Sequence, residues 1–227
     1  PALAIRVMGE PTRESVAIVR EACAIVEEEI EKASAAGKMK LPWQYFATVL
    51  GQSTNSIVSG SNLISKIYFP RLFMPASTAI AALLDLFVAS VMLGLMMVYY
   101  GIPVSWGILL VPLLVLLTIM NAVGFGLWFS ALNVRYRDIQ YAIPFLIQIW
   151  MFATPVIYPT SLVGGQYKWL LSLNPMGGVI EAFRPAVLGH MPIPWLSLSI
   201  STSVGLLVFV GGMFYFRSVE RYFADVI

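Results

Sequence analysis

From Leu86 to Val134 the chain runs for 49 residues without one charged side chain. About 20 apolar residues take a helix once across a bilayer, so the run is too long for one crossing and fits two. Tyr100, Gly101, Ile102 and Pro103 supply the turn between them. The expectation is one span over residues 76–100 and a second over 106–132, with Tyr99, Tyr100 and Trp106 grouped at the far interface. The whole chain agrees, since 59% of its residues are hydrophobic and 11% charged, where an ordinary soluble domain has roughly 25% charged. Its mean hydropathy is +0.81.

Charge divides the chain into two parts. Residues 1–40 hold six basic and seven acidic side chains, and residues 41–227 hold eight basic and five acidic. In the leader, Val16, Val19, Cys23, Val26 and Ile30 recur at helical spacing. Thr12 can cap a helix there, and Gly37 can end it. The acidic cluster Glu27, Glu28, Glu29 and Glu31 disfavours an anionic lipid surface, so the leader is expected to be a soluble amphipathic helix. It lacks the apolar core of a signal peptide. The lone Cys23 permits no internal disulfide. A net charge of +2, with no basic stripe interleaved with aromatics, argues against nucleic acid as a partner.

The remaining membrane segments follow from length and breakers. Residues 41–60 are apolar at first and then carry Gln52, Ser53, Thr54, Asn55 and Ser56 in a row, which suits a partial span whose polar side chains face other helices. Residues 139–158 read as a third span containing Pro144 and Pro155. Residues 160–190 are broken at Gly164-Gly165, Asn174-Pro175 and Gly177-Gly178. The apolar pieces 169–173 and 178–188 are too short to cross, so a re-entrant helical hairpin is expected. A last span covers 195–216. Lys66, Arg71, Arg135, Arg137, Arg217 and Arg221 then share one side, against Lys168 and Arg184 on the other, and the more basic side marks the cytoplasm.

No nucleotide-binding GxxxxGK[ST] loop, HExxH or CxxC pair occurs, and the single His190 has no metal-grade neighbour in sequence. Energy for uphill transport must therefore come from a partner or an ion gradient. Asp85 falls near mid-depth of its span, where a carboxylate acts as a packing hydrogen bond, a proton site or a substrate contact. Glu181 and Arg184, spaced i, i+3, can pair on one helix face. Tyr141, Phe145, Trp150, Phe152 and Tyr158 along the third span, followed by Tyr167 and Trp169, can pack, meet lipid or offer flat platforms to sugar rings.

Four motifs then stand together in order: NLISKIYFPR before a span, NVRYRDI after the next hairpin, PVIYP closing the third span and SLNPMGGVIEAFR in the broken segment. In this set the chain resembles permease subunits of ABC-2 type exporters, above all those exporting lipid-linked polysaccharide such as O-antigen, capsule or teichoic acid. The likeness covers residues 42–227.

The resemblance implies a homodimeric, multi-pass permease of the cell inner membrane with a cytoplasmic C-terminus and no ATPase site of its own. A separate cytoplasmic ATP-binding-cassette subunit would hold the ATP and magnesium, so this chain would need no cofactor. Its other partners would be a second copy of itself, membrane lipids and a lipid-linked glycan. The fold implied is all-α and integral to the membrane: about four full transmembrane helices plus a partial one, a cytoplasmic coupling helix and a re-entrant periplasmic hairpin, preceded by the soluble leader.

Carried onto this sequence, Asn62, Leu63, Ser65, Lys66, Tyr68, Phe69, Pro70 and Arg71 would couple to the ATPase. Arg135, Tyr136, Arg137 and Asp138 would be a second cytoplasmic contact. Asp85, Phe145, Trp150, Phe152 and Tyr158 would belong to the translocation path, and Trp169, Asn174, Pro175, Glu181 and Arg184 to the re-entrant gate. The chain departs from the family at its start, where family members have an interface helix and two complete first spans, and this chain has the acidic leader. Two alternatives follow: an ion-coupled carrier or channel acting alone, or a truncated or fused permease fragment without transport function.

Overall fold

A computed structural model describes residues 41–60, 71–99, 106–156, 168–188 and 192–220. The leader lies outside these residues, and so do positions 62–70 of the NLISKIYFPR motif, Tyr158, Tyr167 and His190. The described chain forms α1 (Leu41–Ser59), α2 (Phe73–Tyr99), a 3-10 turn (Trp106–Leu110), α3 (Val111–Arg135), α4 (Ile139–Ala153), α5 (Lys168–Leu173), α6 (Gly177–Leu188) and α7 (Trp195–Glu220), with no strand among the described residues.

Three segments of the described chain are long and apolar enough to cross a membrane: α2, the 3-10 turn with α3, and α7. They fall where the charge-free run and the final apolar stretch place them. The third expected span is shorter, because α4 has 15 residues and reaches only about 22 Å, against a hydrocarbon core of about 30 Å. Its end has a local cause. Thr154 precedes Pro155, and a proline drives the residue before it out of the helical region; Thr154 is accordingly extended, at φ −104°, ψ 140°.

Helix α1 covers the stretch read as a partial span. It runs 19 residues and buries Trp43, Tyr45, Phe46, Val49, Leu50 and Ile57, packing against α2, α3, α4 and α6. Its polar half finds partners on those neighbours, as a polar stretch away from water must. Ser53 Oγ lies 2.7 Å from Thr78 Oγ1 and 3.2 Å from the Pro75 carbonyl of α2. Higher on the same seam, the Tyr45 hydroxyl donates to the Ala79 carbonyl at 2.9 Å.

Small residues let α3 and α7 approach closely, the usual device where apolar helices meet in lipid. A Cβ on Gly124 would lie 2.8 Å from Phe209 Cα, and one on Gly212 would lie 2.5 Å from the Gly124 carbonyl oxygen.

Three core clusters stack along the bundle. At one end Ile57, Leu127, Ala131, Val134 and Phe216 join the ends of α1, α3 and α7. In the middle Phe46, Val49, Leu50, Ala122 and Phe125 meet Met176 and Ile180. At the other end Met97 and Leu114 pack with Val179, Phe183, Ala186 and Leu198. Helix α6 thus starts beside the middle cluster and runs back toward the 3-10 turn before α3, and α5 and α6 form a helical hairpin whose turn lies within the bundle.

Candidate coupling and translocation surfaces

An irregular backbone at membrane depth survives only if its freed polar groups are bonded inside the protein. The hairpin turn and the end of α4 satisfy each other. Asn174 Oδ1 accepts from Trp150 Nε1 at 3.2 Å and from the Met176 amide at 3.1 Å. Its Nδ2 donates to Thr154 Oγ1 at 2.8 Å, and the Thr154 hydroxyl donates to the Trp150 carbonyl at 2.8 Å. Beyond the helix end, Arg184 Nη2 donates to the carbonyls of Pro155 and Val156 at 3.0 and 3.3 Å. Asn121 Nδ2, from buried α3, donates to the Pro175 carbonyl at 3.2 Å.

A second set of bonds fastens the hairpin to α7. Ser201 Oγ accepts from the Gly178 amide at 3.0 Å and lies 2.8 Å from the Ser172 carbonyl and 3.0 Å from that of Asn174. The Ser197 hydroxyl donates to Glu181 Oε2 at 2.8 Å, and that of Ser172 donates to Ser197 Oγ at 3.1 Å. Trp150, Asn174, Pro175, Glu181 and Arg184, singled out from sequence, therefore meet in one polar seam. Trp169 stands apart and exposed on α5.

The aromatic positions of α4 separate into two groups. Phe145 and Phe152, 68% and 59% exposed, share an outward stripe with Tyr141 and Ile149. Trp150 instead turns inward, its ring edge-on to Phe125 at 4.6 Å and to Phe46 at 5.3 Å, a geometry that aromatic quadrupoles favour. Asp85 is exposed on α2, in a groove of about 60 Å³ shared with Gln44, Tyr45 and Thr48 of α1. No α4 residue lines that groove, so Asp85 and Phe145 lie on separate surfaces.

At the opposite end of the bundle from the hairpin, Arg135, Tyr136, Arg137 and Asp138 form an exposed connection, with the Arg135 guanidinium 5.5 Å from the centre of the Tyr136 ring. Its base is Asn133, 1% exposed. Asn133 Nδ2 donates to the Thr54 carbonyl at 3.0 Å, and Oδ1 accepts from the Gln140 amide at 3.1 Å. That second bond satisfies a first-turn N–H of α4 which Asp138, at the cap position, does not reach. Asn121, Asn133, Ser172, Ser197 and Ser201 escape a reading based on charge and aromatics. Asn133 and Ser172 open two of the quoted motifs, but the buried role of each, like those of Asn121, Ser197 and Ser201, is marked in the sequence by no more than a small polar side chain.

Comparison with known proteins decides the family. The ABC-2 type transporter profile matches residues 39–188. The chain belongs to the ABC-2 type transporter family. Two relatives in this family are O-antigen export system permease proteins RfbA. The one from Myxococcus xanthus is 29% identical over 190 residues, covering 82% of this chain and 73% of its own. The one from Klebsiella pneumoniae is 25% identical over 191 residues, covering 82% and 72%. A separate likeness is short: a glutamine-hydrolyzing GMP synthase chain of Methanopyrus kandleri is 66% identical over 50 residues, which span 22% of this chain and 16% of that protein. The ABC-2 chain is thus a multi-pass membrane component of a transporter and not the subunit that hydrolyses ATP.

Proposed function

We propose that this chain is the permease of an exporter that moves lipid-linked polysaccharide across the inner membrane, driven by a separate cytoplasmic ATP-binding-cassette subunit that carries ATP and magnesium. The observation that carries the reading is the opposition of two ends. A basic, exposed connection at Arg135–Asp138 sits on helix ends clasped by Asn133, and a re-entrant hairpin bonded to α4 and α7 occupies the other end. Arg71, Arg135, Arg137 and Arg217 lie at the first end, which favours a cytoplasmic C-terminus. The outward stripe of Tyr141, Phe145 and Phe152 is the candidate wall for sugar rings, and a second copy of the chain supplies the facing wall.

The test is co-purification of the chain with the ATP-binding-cassette subunit, followed by export of lipid-linked O-antigen in proteoliposomes. Export that requires ATP and both proteins is the expected result. Transport that follows a proton gradient and is lost in Asp85→Asn, with the ATPase absent, supports the lone carrier instead.

The short likeness to the GMP synthase chain, over 50 residues, favours a fused segment of soluble origin. Residues 1–40 carry seven acidic and six basic side chains, and the ABC-2 profile begins at residue 39. The segment carries no synthase activity in this reading, because the match spans 16% of that protein. Amplification from genomic DNA across codons 30–50 is expected to give one continuous product, and two unlinked products contradict a natural fusion.

A further inference from the structure

The outer face of α1 reverses the pattern of a helix that meets lipid. Its exposed residues, Gln44, Gln52, Asn55 and Ser59, are all polar, while Trp43, Phe46, Val49, Leu50 and Ile57 are buried. The outer face of α2 is the ordinary kind, with Ile80, Leu84, Phe87, Val88, Met92 and Leu95 exposed. Helix α1 lies at membrane depth, because Phe46 and Leu50 belong to the middle cluster and Ile57 to the cluster at one end. Side-chain amides there need hydrogen-bond partners that lipid tails cannot give. Asn55 Oδ1 has a distant one, Asn133 Nδ2 at 3.5 Å, and the Ser59 hydroxyl donates to the Asn55 carbonyl at 2.8 Å within its own helix. Among the described residues nothing meets the side-chain amides of Gln44 and Gln52.

The spacing on this face is that of a helix pair. Gln44, Thr48, Gly51 and Asn55 follow one another at four, three and four residues, the repeat along which two helices wind around each other left-handedly. Continued to Ser59, the seam is about 22 Å long. At its centre, a Cβ added to Gly51 would meet nothing within 4 Å. No neighbour inside the bundle requires that glycine, whereas a helix arriving from outside approaches most closely over such a residue. The repeat carries no charge, so two identical seams meet without repulsion. Amide and hydroxyl groups both donate and accept, so each can bond to its own copy. A seam that complements itself suits an isologous contact.

We propose that two copies of this chain pair along α1 about a two-fold axis normal to the membrane, with Thr48, Gly51 and Asn55 of one copy facing the same residues of the other. The proposal rests on the exporter reading above for the presence of a second copy, and it adds the surface on which that copy docks.

The test uses the full chain in native membranes, in a Cys23→Ser background carrying one of Thr48→Cys, Gly51→Cys, Asn55→Cys or, on the outer face of α2, Leu84→Cys. Oxidation with copper phenanthroline is expected to give disulfide-linked dimers at 48, 51 and 55 at least about tenfold faster than at 84, since a disulfide needs two Cα atoms within about 7 Å. In detergent, Gln44→Leu with Asn55→Leu is expected to raise the dimer dissociation constant about tenfold, the scale of two side-chain hydrogen bonds between membrane helices. Both positions are exposed, so the bundle itself is retained. Equal cross-linking at 84 overturns the pairing, as does a wild-type chain that is monomeric in the membrane. Modification at 48, 51 and 55 by a water-soluble methanethiosulfonate, without dimers, also overturns it and makes this face the lining of a water-filled path. Dimers linked at 48, 51 and 55 in a chain without ATP-dependent export establish the pairing and fail the exporter reading. ATP-dependent export without such dimers overturns the pairing alone.

Discussion

Replacing Asn174 by alanine removes the one side chain that holds the end of α4 to the hairpin turn from both its faces. Two donors lose their acceptor: Trp150 Nε1 and the Met176 amide. The Thr154 hydroxyl keeps its bond to the Trp150 carbonyl and is least affected. Side-chain hydrogen bonds in membrane proteins average about 0.6 kcal/mol, which puts a floor of about 1.2 kcal/mol under the pair. Leaving a buried backbone amide unsatisfied costs about 1–3 kcal/mol by itself. The amide dominates, so Asn174→Ala is expected to destabilise the latch by about 2 kcal/mol, roughly a thirtyfold shift between latched and open forms.

Trp150→Phe removes only one of the two donors and leaves Asn174 bonded to the Met176 amide. It is expected to cost less than about 1 kcal/mol. The double variant should match Asn174→Ala apart from any packing lost at the ring, since the Trp150 bond is already gone. Hydrogen exchange of the 168–188 amides in detergent or nanodiscs reads the latch directly, with faster exchange in Asn174→Ala expected at Met176 and its neighbours. Protection unchanged from wild type would refute the reasoning, and so would costs of Asn174→Ala and Trp150→Phe that add in full.

Three further outcomes are expected. Asn133→Leu, which leaves the Gln140 amide without its acceptor, should destabilise by about 2–3 kcal/mol and expose the 136–141 connection to protease sooner than the rest of the bundle. Gly212→Leu places a side chain against the Gly124 backbone; separating α3 from α7 should cost at least about 3 kcal/mol and lower the melting temperature in detergent, whereas Gly211→Leu, at a position with open space, should not. Asp85→Asn should leave ATP-dependent export within about twofold of wild type, because Asp85 lies in the α1–α2 groove away from the α4 stripe; loss of export there would draw that groove into the path.

Much of this architecture is written in the pattern of charges. The spans expected from the charge-free run, 76–100 and 106–132, match α2 and the 3-10 turn with α3 to within three residues at each end, and the Asn174-Pro175 and Gly177-Gly178 breaks fall at the join of α5 and α6, both too short to cross. Other features depend on partners far away in sequence. Residues 41–60 look like half a span because Ser53 and Thr54 are polar, and the packing of α1 at the centre of the bundle depends on Thr78 and Pro75 from α2, and Asn133 from α3, standing beside it. Asn133 itself reads as the start of a polar connection, yet it closes that end of the bundle from a buried position. The length of α4 turns on a single neighbour relation, Thr154 before Pro155. Asn174 is legible as a helix break, but its four side-chain hydrogen-bond partners are Trp150 and Ala153 of α4, Thr154 and the Met176 amide of the hairpin turn, and periodicity cannot assign such partners.

For coupling to reach a gate, the two ends of the bundle must face opposite sides of the membrane. A Cys23→Ser background removes the single native cysteine and allows one cysteine to be placed at Tyr136 or at Trp169, both exposed. Labelled with an impermeant maleimide in sealed, inside-out vesicles, the cysteine at 136 should react at once and the cysteine at 169 only after the vesicles are opened. Equal reaction of both before opening, or the reverse order, contradicts this arrangement.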